Sequence, residues 1–360
     1  MDTSPLLRKL MSRHDLTRAE SADLLEALLR TDTEGWKLLA FSVASQTKGE
    51  TIDELLGMWD AMHRLTGDYA LDLAGRRAME VASSGSSGVR KINVSTLVGL
   101  VVGEPEVPVL KQSFFKITGV AGSADVLASI GLVVPGVGLP RIQRALDQVG
   151  VAFYSPLFVS PELGNLVHFG GVLGEKQIGV PTPFNLMAPI FTPAPLTYRM
   201  FGANNPAQLD LLTALFRGLG YRNALTVHGA DGLDEATLSG PSRVRGYRGS
   251  EDFEFILLPE AAGLATAPQE AIAPEDARSN TRDFLRIVHG LETGPKRDLV
   301  ALNCGLALWI SDRASSITEG VRTALQRIES GEAREKLRKL VEIMGDPGAL
   351  RRAEEEYLSS

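Results

Sequence analysis

The chain has one cysteine in 360 residues, Cys304. A single thiol excludes an intramolecular disulfide. It sits in Leu302-Asn303-Cys304-Gly305-Leu306, an apolar helical stretch, and reads as a buried core thiol rather than a nucleophile. No apolar run reaches the roughly 18 residues of a membrane span. Asp2, Arg8, Lys9 and Arg13 crowd the first turns, which is not the pattern of a signal peptide. A cytoplasmic protein is the expectation. Positive charge is in deficit, with a formal net charge of −7. That speaks against a nucleic-acid partner, because neutralising phosphates takes clustered Lys and Arg. Internal repeats and low-complexity segments are missing too. What remains, 44% hydrophobic and 22% charged, is the composition of an ordinary globular protein with room for one large and one small domain.

The first 75 residues read as helices. Leu16, Leu24, Leu25, Leu28 and Leu29 recur at helical spacing, and Thr17 with Glu20 has the pattern of a capping box. Trp36, Leu38, Leu39 and Phe41 open a second apolar helix. A third starts at Thr51, with Leu55, Leu56, Met58, Trp59 and Met62 on its buried face. From about residue 80 short apolar runs alternate with helices, which indicates a sheet layered by helices. Strands are predicted at Val107–Leu110, Val149–Tyr154, Ala224–Val227 and Phe253–Leu258. Helices are predicted at Ser123–Ile130, Pro140–Gln148, Pro206–Leu219, Leu299–Ser311 and Ile317–Ser330. Residues 156–183 are rich in Gly and Pro and read as crossover material. The charged stretch from Glu332 reads as a solvated surface helix.

Three clusters could carry chemistry. Ser83-Ser84-Gly85-Ser86-Ser87-Gly88 is either a simple turn or an anion cradle, with Gly85 and Gly88 permitting unusual backbone angles. Asn93-Val94-Ser95-Thr96 puts an amide and two hydroxyls at the mouth of the apolar helix Leu97–Val102. Those hydroxyls can cap the helix or bind a phosphate or a metal-bound water. Asp234 and Glu235 are adjacent carboxylates in a Gly-rich turn. They suit a hard cation such as Mg2+, or simply an acidic turn. His228, with no nucleophile motif beside it, reads as a hydrogen-bonded structural histidine.

The order of motifs adds a resemblance. Lys48-Gly49-Glu50-Thr51, Asn93–Thr96, Lys111, Gly122-Ser123-Ala124-Asp125, Phe184-Asn185-Leu186, His228–Glu235, Glu319-Gly320-Val321 and Glu329-Ser330-Gly331 follow in sequence. Together they resemble the anthranilate phosphoribosyltransferase family over nearly the whole chain. The family places Asn-Ile-Ser-Thr eighteen residues before a Lys and that Lys twelve before a Ser; Asn93, Lys111 and Ser123 keep both gaps. The resemblance implies an α/β fold: a small N-terminal helical domain plus a larger α/β domain with a central sheet flanked by helices. Residues 1–75, completed by helices from 156–183, would form the first, and 76–155 with 184–360 the second. The active site would lie in the cleft between them. The implied reaction joins the anthranilate nitrogen to ribose C1 of phosphoribosyl pyrophosphate and releases pyrophosphate. By the match, Gly85, Ser86, Asn93, Ser95, Thr96, Lys111 and Ser123 would hold the donor. Ser95, Asp234 and Glu235 would hold Mg2+. The resemblance and the apolar faces of the N-terminal helices also imply a homodimer.

Several residues depart from the pattern. The family loop Gly-Thr-Gly-Gly-Asp-Gly is Ser83–Gly88 here, so two glycines and the Asp are lost. Lys-His-Gly-Asn-Arg has become Lys111-Gln112-Ser113-Phe114-Phe115, and Ser-Val-Ser-Ser has become Lys116-Ile117-Thr118-Gly119. The His-Pro at the aromatic-acid site is Ser160-Pro161. The Arg expected to face the anthranilate carboxylate aligns with Glu175, which would repel it. Phe114, Phe115 and Glu175 therefore mark the acceptor side. The leading expectation is a phosphoribosyltransferase with an acceptor other than anthranilate. The alternatives are a non-catalytic binding or assembly relative and a genuine anthranilate phosphoribosyltransferase.

Overall fold

The computed structural model describes residues 2–32, 34–67, 70–85, 87–115, 122–175 and 182–359, without the side chains of 171–175. Two compact units form, one from Met1–Ala70 with Ser155–Pro195 and one from Leu71–Tyr154 with Leu196–Ser360. The sequence places these boundaries at 75, 156 and 183.

The first unit is helical. Thr17 caps Arg18–Thr31: its hydroxyl accepts from Glu20 N, and the Glu20 carboxylate accepts from Thr17 N at 2.9 Å. Thr51 and Glu54 repeat this capping box at Ile52–Arg64. Leu24, Leu25, Leu28, Leu55, Met58 and Met62 are buried as the helical spacing requires. Trp36 is not a core residue; it stands 69% exposed and donates to Glu34. Residues 161–175, expected as crossover, form a helix of fifteen residues.

The second unit is built on seven strands: β1 Met79–Ser83, β2 Val109–Gln112, β3 Val151–Tyr154, β4 Tyr198–Gly202, β5 Asn223–Gly229, β6 Ser242–Arg248 and β7 Glu251–Leu257. Their order is β3-β2-β1-β4-β5-β6-β7. The first five are parallel, and β6 and β7 close one edge as an antiparallel hairpin. Predicted strands match β2, β3, β5 and β7 to within two residues. β1, β4 and β6 escape prediction because each carries charge. Glu80 interrupts β1, Arg199 interrupts β4, and Arg243, Arg245 and Arg248 line β6. The alternation of β6 (buried Ser242, Val244 and Gly246 between half-buried arginines) is a readable signal.

Chain order reverses where β1 meets β4, and open parallel sheets bind ligands beyond the carboxyl ends of the strands at such a point. At that position Glu80 and Arg199 face each other in register and form a fully buried ion pair. Burial pushes the Glu80 carboxyl up to about 7, against the pull of Arg199 and Lys111. The Arg199 guanidinium also lies 5.5 Å from the centre of the Phe216 ring and 6.0 Å from that of Tyr221.

Two helices end the chain, Glu332–Met344 and Pro347–Leu358. They correct the solvated-helix expectation, since Leu337, Leu340, Val341, Met344 and Leu350 are buried. A charged sequence hides an apolar stripe. Cys304 is fully buried, as read, and burial pushes its thiol up.

Removing one member of the Glu80–Arg199 pair strands the other in the core. Arg199→Met is expected to cost about 3–5 kcal/mol in urea unfolding, and adding Glu80→Gln should recover most of it.

Candidate active site

The segments after β1 and β5, with β2 and the segment that follows it, carry the candidate residues at the carboxyl ends of the parallel strands of the α/β unit. The loop after β1 turns back over the sheet. Gly85 and Gly88 take φ of +66° and +73°, the left-handed region that favours glycine. Ser84 Oγ and Gly85 N each donate to Asp234 Oδ2 at 2.8 Å. The loop then delivers Lys91, whose Nζ lies 2.5 Å from Asp234 Oδ1 and 3.2 Å from Glu235 Oε1. Asp234 and Glu235 are themselves buried.

The electrostatics follow from one ammonium serving two carboxylates. Burial raises the Asp234 pKa, but the Lys91 charge and the three hydrogen bonds outweigh it and hold the carboxyl below its usual value. At Glu235 burial wins and the carboxyl is raised, with Lys91 opposing and Asp234 assisting. Asp234 is the closer partner and takes most of the benefit.

The helix Val94–Val102 follows Lys91 closely in the chain. Asn93 occupies its cap position without a side-chain cap bond; Val94 N donates to Ile92 O at 2.8 Å, so the amides of Ser95 and Thr96 are the ones left for another acceptor. Instead, Asn93 Oδ1 accepts from Asn280 Nδ2 at 2.6 Å. Asn280 lies on Ala277–Val288 and is buried. Ser95 is half-buried, and Thr96 is buried with no partner for its hydroxyl among the described residues. Lys111 is the third residue of β2. Its buried Nζ donates to Gln112 O at 2.6 Å. Burial lowers its pKa to about 8, with Glu80 and Glu235 opposing that fall. Ser123 begins the short helix Ser123–Ser129, and its Oγ accepts from Phe114 N at 3.2 Å. Phe114 is half-buried and Phe115 is 49% exposed.

Ser86 lies outside the described residues, as do Lys116–Gly119 and the side chain of Glu175. His228 has the structural role expected, with Nδ1 2.8 Å from Ala203 O. Glu80, Lys91, Arg199 and Asn280 join the site without having been singled out by the sequence. Only Lys91 carries a signal there, as a cation two residues before Asn93.

Comparison with known proteins places this site in context. Residues 75–334 match the α/β domain model of a glycosyl transferase family, and residues 4–65 match the helical bundle domain model of that family. The anthranilate phosphoribosyltransferase of Exiguobacterium sibiricum is 32% identical over 335 residues, covering 93% of this chain and 96% of that protein. The chain belongs to the anthranilate phosphoribosyltransferase family. The family's members are transferases. The crystal structure of the Thermus thermophilus enzyme superposes with a TM-score of 0.84 at 28% identity, covering 96% of this chain and 99% of that one. The Saccharomyces cerevisiae enzyme, solved in complex with PRPP and Mg, shares the fold with a TM-score of 0.82 at 19% identity, covering 95% and 97%. The family's two-part organisation corresponds to a helical domain and an α/β domain with a seven-stranded mixed sheet.

The acidic pair is held from both sides. Asn303 on Pro295–Ile310 accepts from Ala236 N and donates to Ala236 O, each at 3.0 Å. Across from it, a Cβ at Gly202 would lie 1.8 Å from Asp234 O. Gly202→Ala must therefore push the Asp234 backbone away. The expected loss is about 1–3 kcal/mol in thermal unfolding, with weaker ligand binding at the acidic pair.

Proposed function

We propose that this protein transfers the phosphoribosyl group of phosphoribosyl pyrophosphate to an aromatic amine of the anthranilate type. One observation supports it above others. Lys91, on the loop that leads into Asn93–Thr96, pairs with both carboxylates of Asp234–Glu235, and Lys111 of β2 feels the Glu235 charge, so the three clusters converge at the carboxyl edge of the parallel strands. The expectation of an acceptor other than anthranilate finds no support among the relatives, which are named for anthranilate. Phe114 and Phe115 remain the proposed aromatic contacts of the acceptor, with Glu175 on the same side.

The donor end is built from this chain's own groups. The Ser95 and Thr96 amides at the start of Val94–Val102 bind phosphate oxygens, helped by the hydroxyls of the same two residues. Gly85, Ser86 and Ser123 belong to the same cradle. Lys111 supplies positive charge where pyrophosphate gathers negative charge as it leaves. The residues suit Mg2+: Glu235 Oε2 is a buried carboxylate oxygen with no hydrogen-bond partner among the described residues. Glu235, Asp234 and Ser95 would hold the ion, which when bound neutralises pyrophosphate. The protein's remaining task is to hold the acceptor nitrogen in line with ribose C1. The homodimer and the cytoplasmic location are part of the same reading.

Calorimetric titration with phosphoribosyl pyrophosphate and Mg2+ tests the donor site. Thr96→Val should weaken binding by about tenfold or more, because it removes a hydrogen bond to a charged group. Absence of heat from the wild type at millimolar donor would overturn the reading. Mass spectrometry of the product formed with anthranilate, against other aromatic amines, decides the acceptor.

Lys111 adds a pH dependence. Its value in the unliganded protein is about 8, and a bound phosphate raises it. Donor affinity should be flat below that pH and fall above it, by up to about tenfold per pH unit, as the ammonium is lost. Lys111→Met should bind weakly with no such slope.

A further inference from the structure

Asp234 and Glu235 already have a cation. Lys91 Nζ sits between them, 2.5 Å from Asp234 Oδ1 and 3.2 Å from Glu235 Oε1, with its side chain 15% exposed. The other Asp234 oxygen is taken by Ser84 Oγ and Gly85 N. Of the pair's four oxygens, Glu235 Oε2 is the one without a hydrogen-bond partner among the described residues, although the Ser83 hydroxyl also acts on that carboxyl. An ammonium and two carboxylates leave the trio one charge negative. A divalent ion in place of the ammonium would balance the two carboxylates. Both cations together would overcharge the pair and repel at this spacing. The ammonium also sits in the direct path of a ligand bridging Asp234 and Glu235.

We propose that Lys91 is a tethered cation that competes with a divalent metal for the Asp234–Glu235 pair. Metal loading then requires the ammonium to leave the carboxylates. The inference rests on reading this pair as the metal end of the donor site. It adds that this chain needs more free metal to fill that end than the carboxylates alone would demand. The lysine lies on the connection between β1 and Val94–Val102 rather than in a helix or strand, so its withdrawal breaks no backbone ladder.

The test uses Mn2+ as the probe, with free Mn2+ read by electron paramagnetic resonance on the full chain without donor. Lys91→Met should bind Mn2+ about tenfold or more tightly than the wild type, since the competent fraction of sites rises. Adding Glu235→Gln should remove that gain. Equal affinity in wild type and Lys91→Met overturns the inference while leaving the metal reading intact, provided Glu235→Gln abolishes binding. No Mn2+ binding by Lys91→Met overturns it as well. Donor heat measured separately then tells whether the donor reading survives. Lys91→Met leaves two buried carboxylates without a counter-cation, so a measurement on unaltered protein guards against misfolding. Reductive methylation followed by peptide mass spectrometry should show Lys91 labelled several-fold faster in millimolar Mg2+. The exposed Lys339 serves as the unchanged reference. Lys91 labelling that does not respond to metal overturns the inference.

Discussion

A buried series of opposite charges organises the α/β unit. Arg199 on β4 pairs with Glu80 on β1. Glu80 and Glu235 both act on Lys111, which comes from β2, and Lys91 joins Glu235 to Asp234. Three cations and three anions alternate from the sheet to its carboxyl edge. A buried charge without a partner is far more destabilising than a paired one. The strands therefore have little freedom in their order: β1 must lie between β2 and β4 for Glu80 to be matched. Lys111 differs from the other cations in that its ammonium donates to a backbone carbonyl. That leaves it as the member of the series best able to serve an incoming anion.

The Ser83–Gly88 loop makes sense against this background. The two glycines it keeps, Gly85 and Gly88, are those at positive φ. Ser84 turns its hydroxyl inward to Asp234. Lys91 follows on the same loop. Ser84, Gly85 and Lys91 thus tie the loop to the acidic pair.

Much of this is readable in the sequence, for physical reasons that can be named. The Thr17–Glu20 capping box is a local pattern, and local patterns survive tertiary context. The gap from Asn93 to Lys111 reflects the length of one helix and the strand that follows it. What escapes is non-local. Lys91 finds Asp234 at a separation of 143 residues, and Asn280 finds Asn93 at 187. No spacing rule joins such pairs. β1 and β4 escape because the residues that matter most in them, Glu80 and Arg199, are charged and interrupt the apolar run that marks a strand. The two C-terminal helices mislead for the converse reason: a high charge count conceals Leu337, Leu340, Val341 and Met344 on one face.

The Glu80–Arg199 pair also sets a condition on how the chain assembles. Its partners are 119 residues apart, and the second segment of the helical unit, Ser155–Pro195, intervenes between β3 and β4. β1, β2 and β3 emerge first, with Glu80 beside Lys111 but still without Arg199. The central β1–β4 pairing cannot form until that segment has been traversed. Contacts of such long range close slowly, because the loop entropy is lost before any contact offsets it. Until then β1 offers an open edge. The sheet order β3-β2-β1-β4 thus ties completion of the central pairing to the arrival of β4.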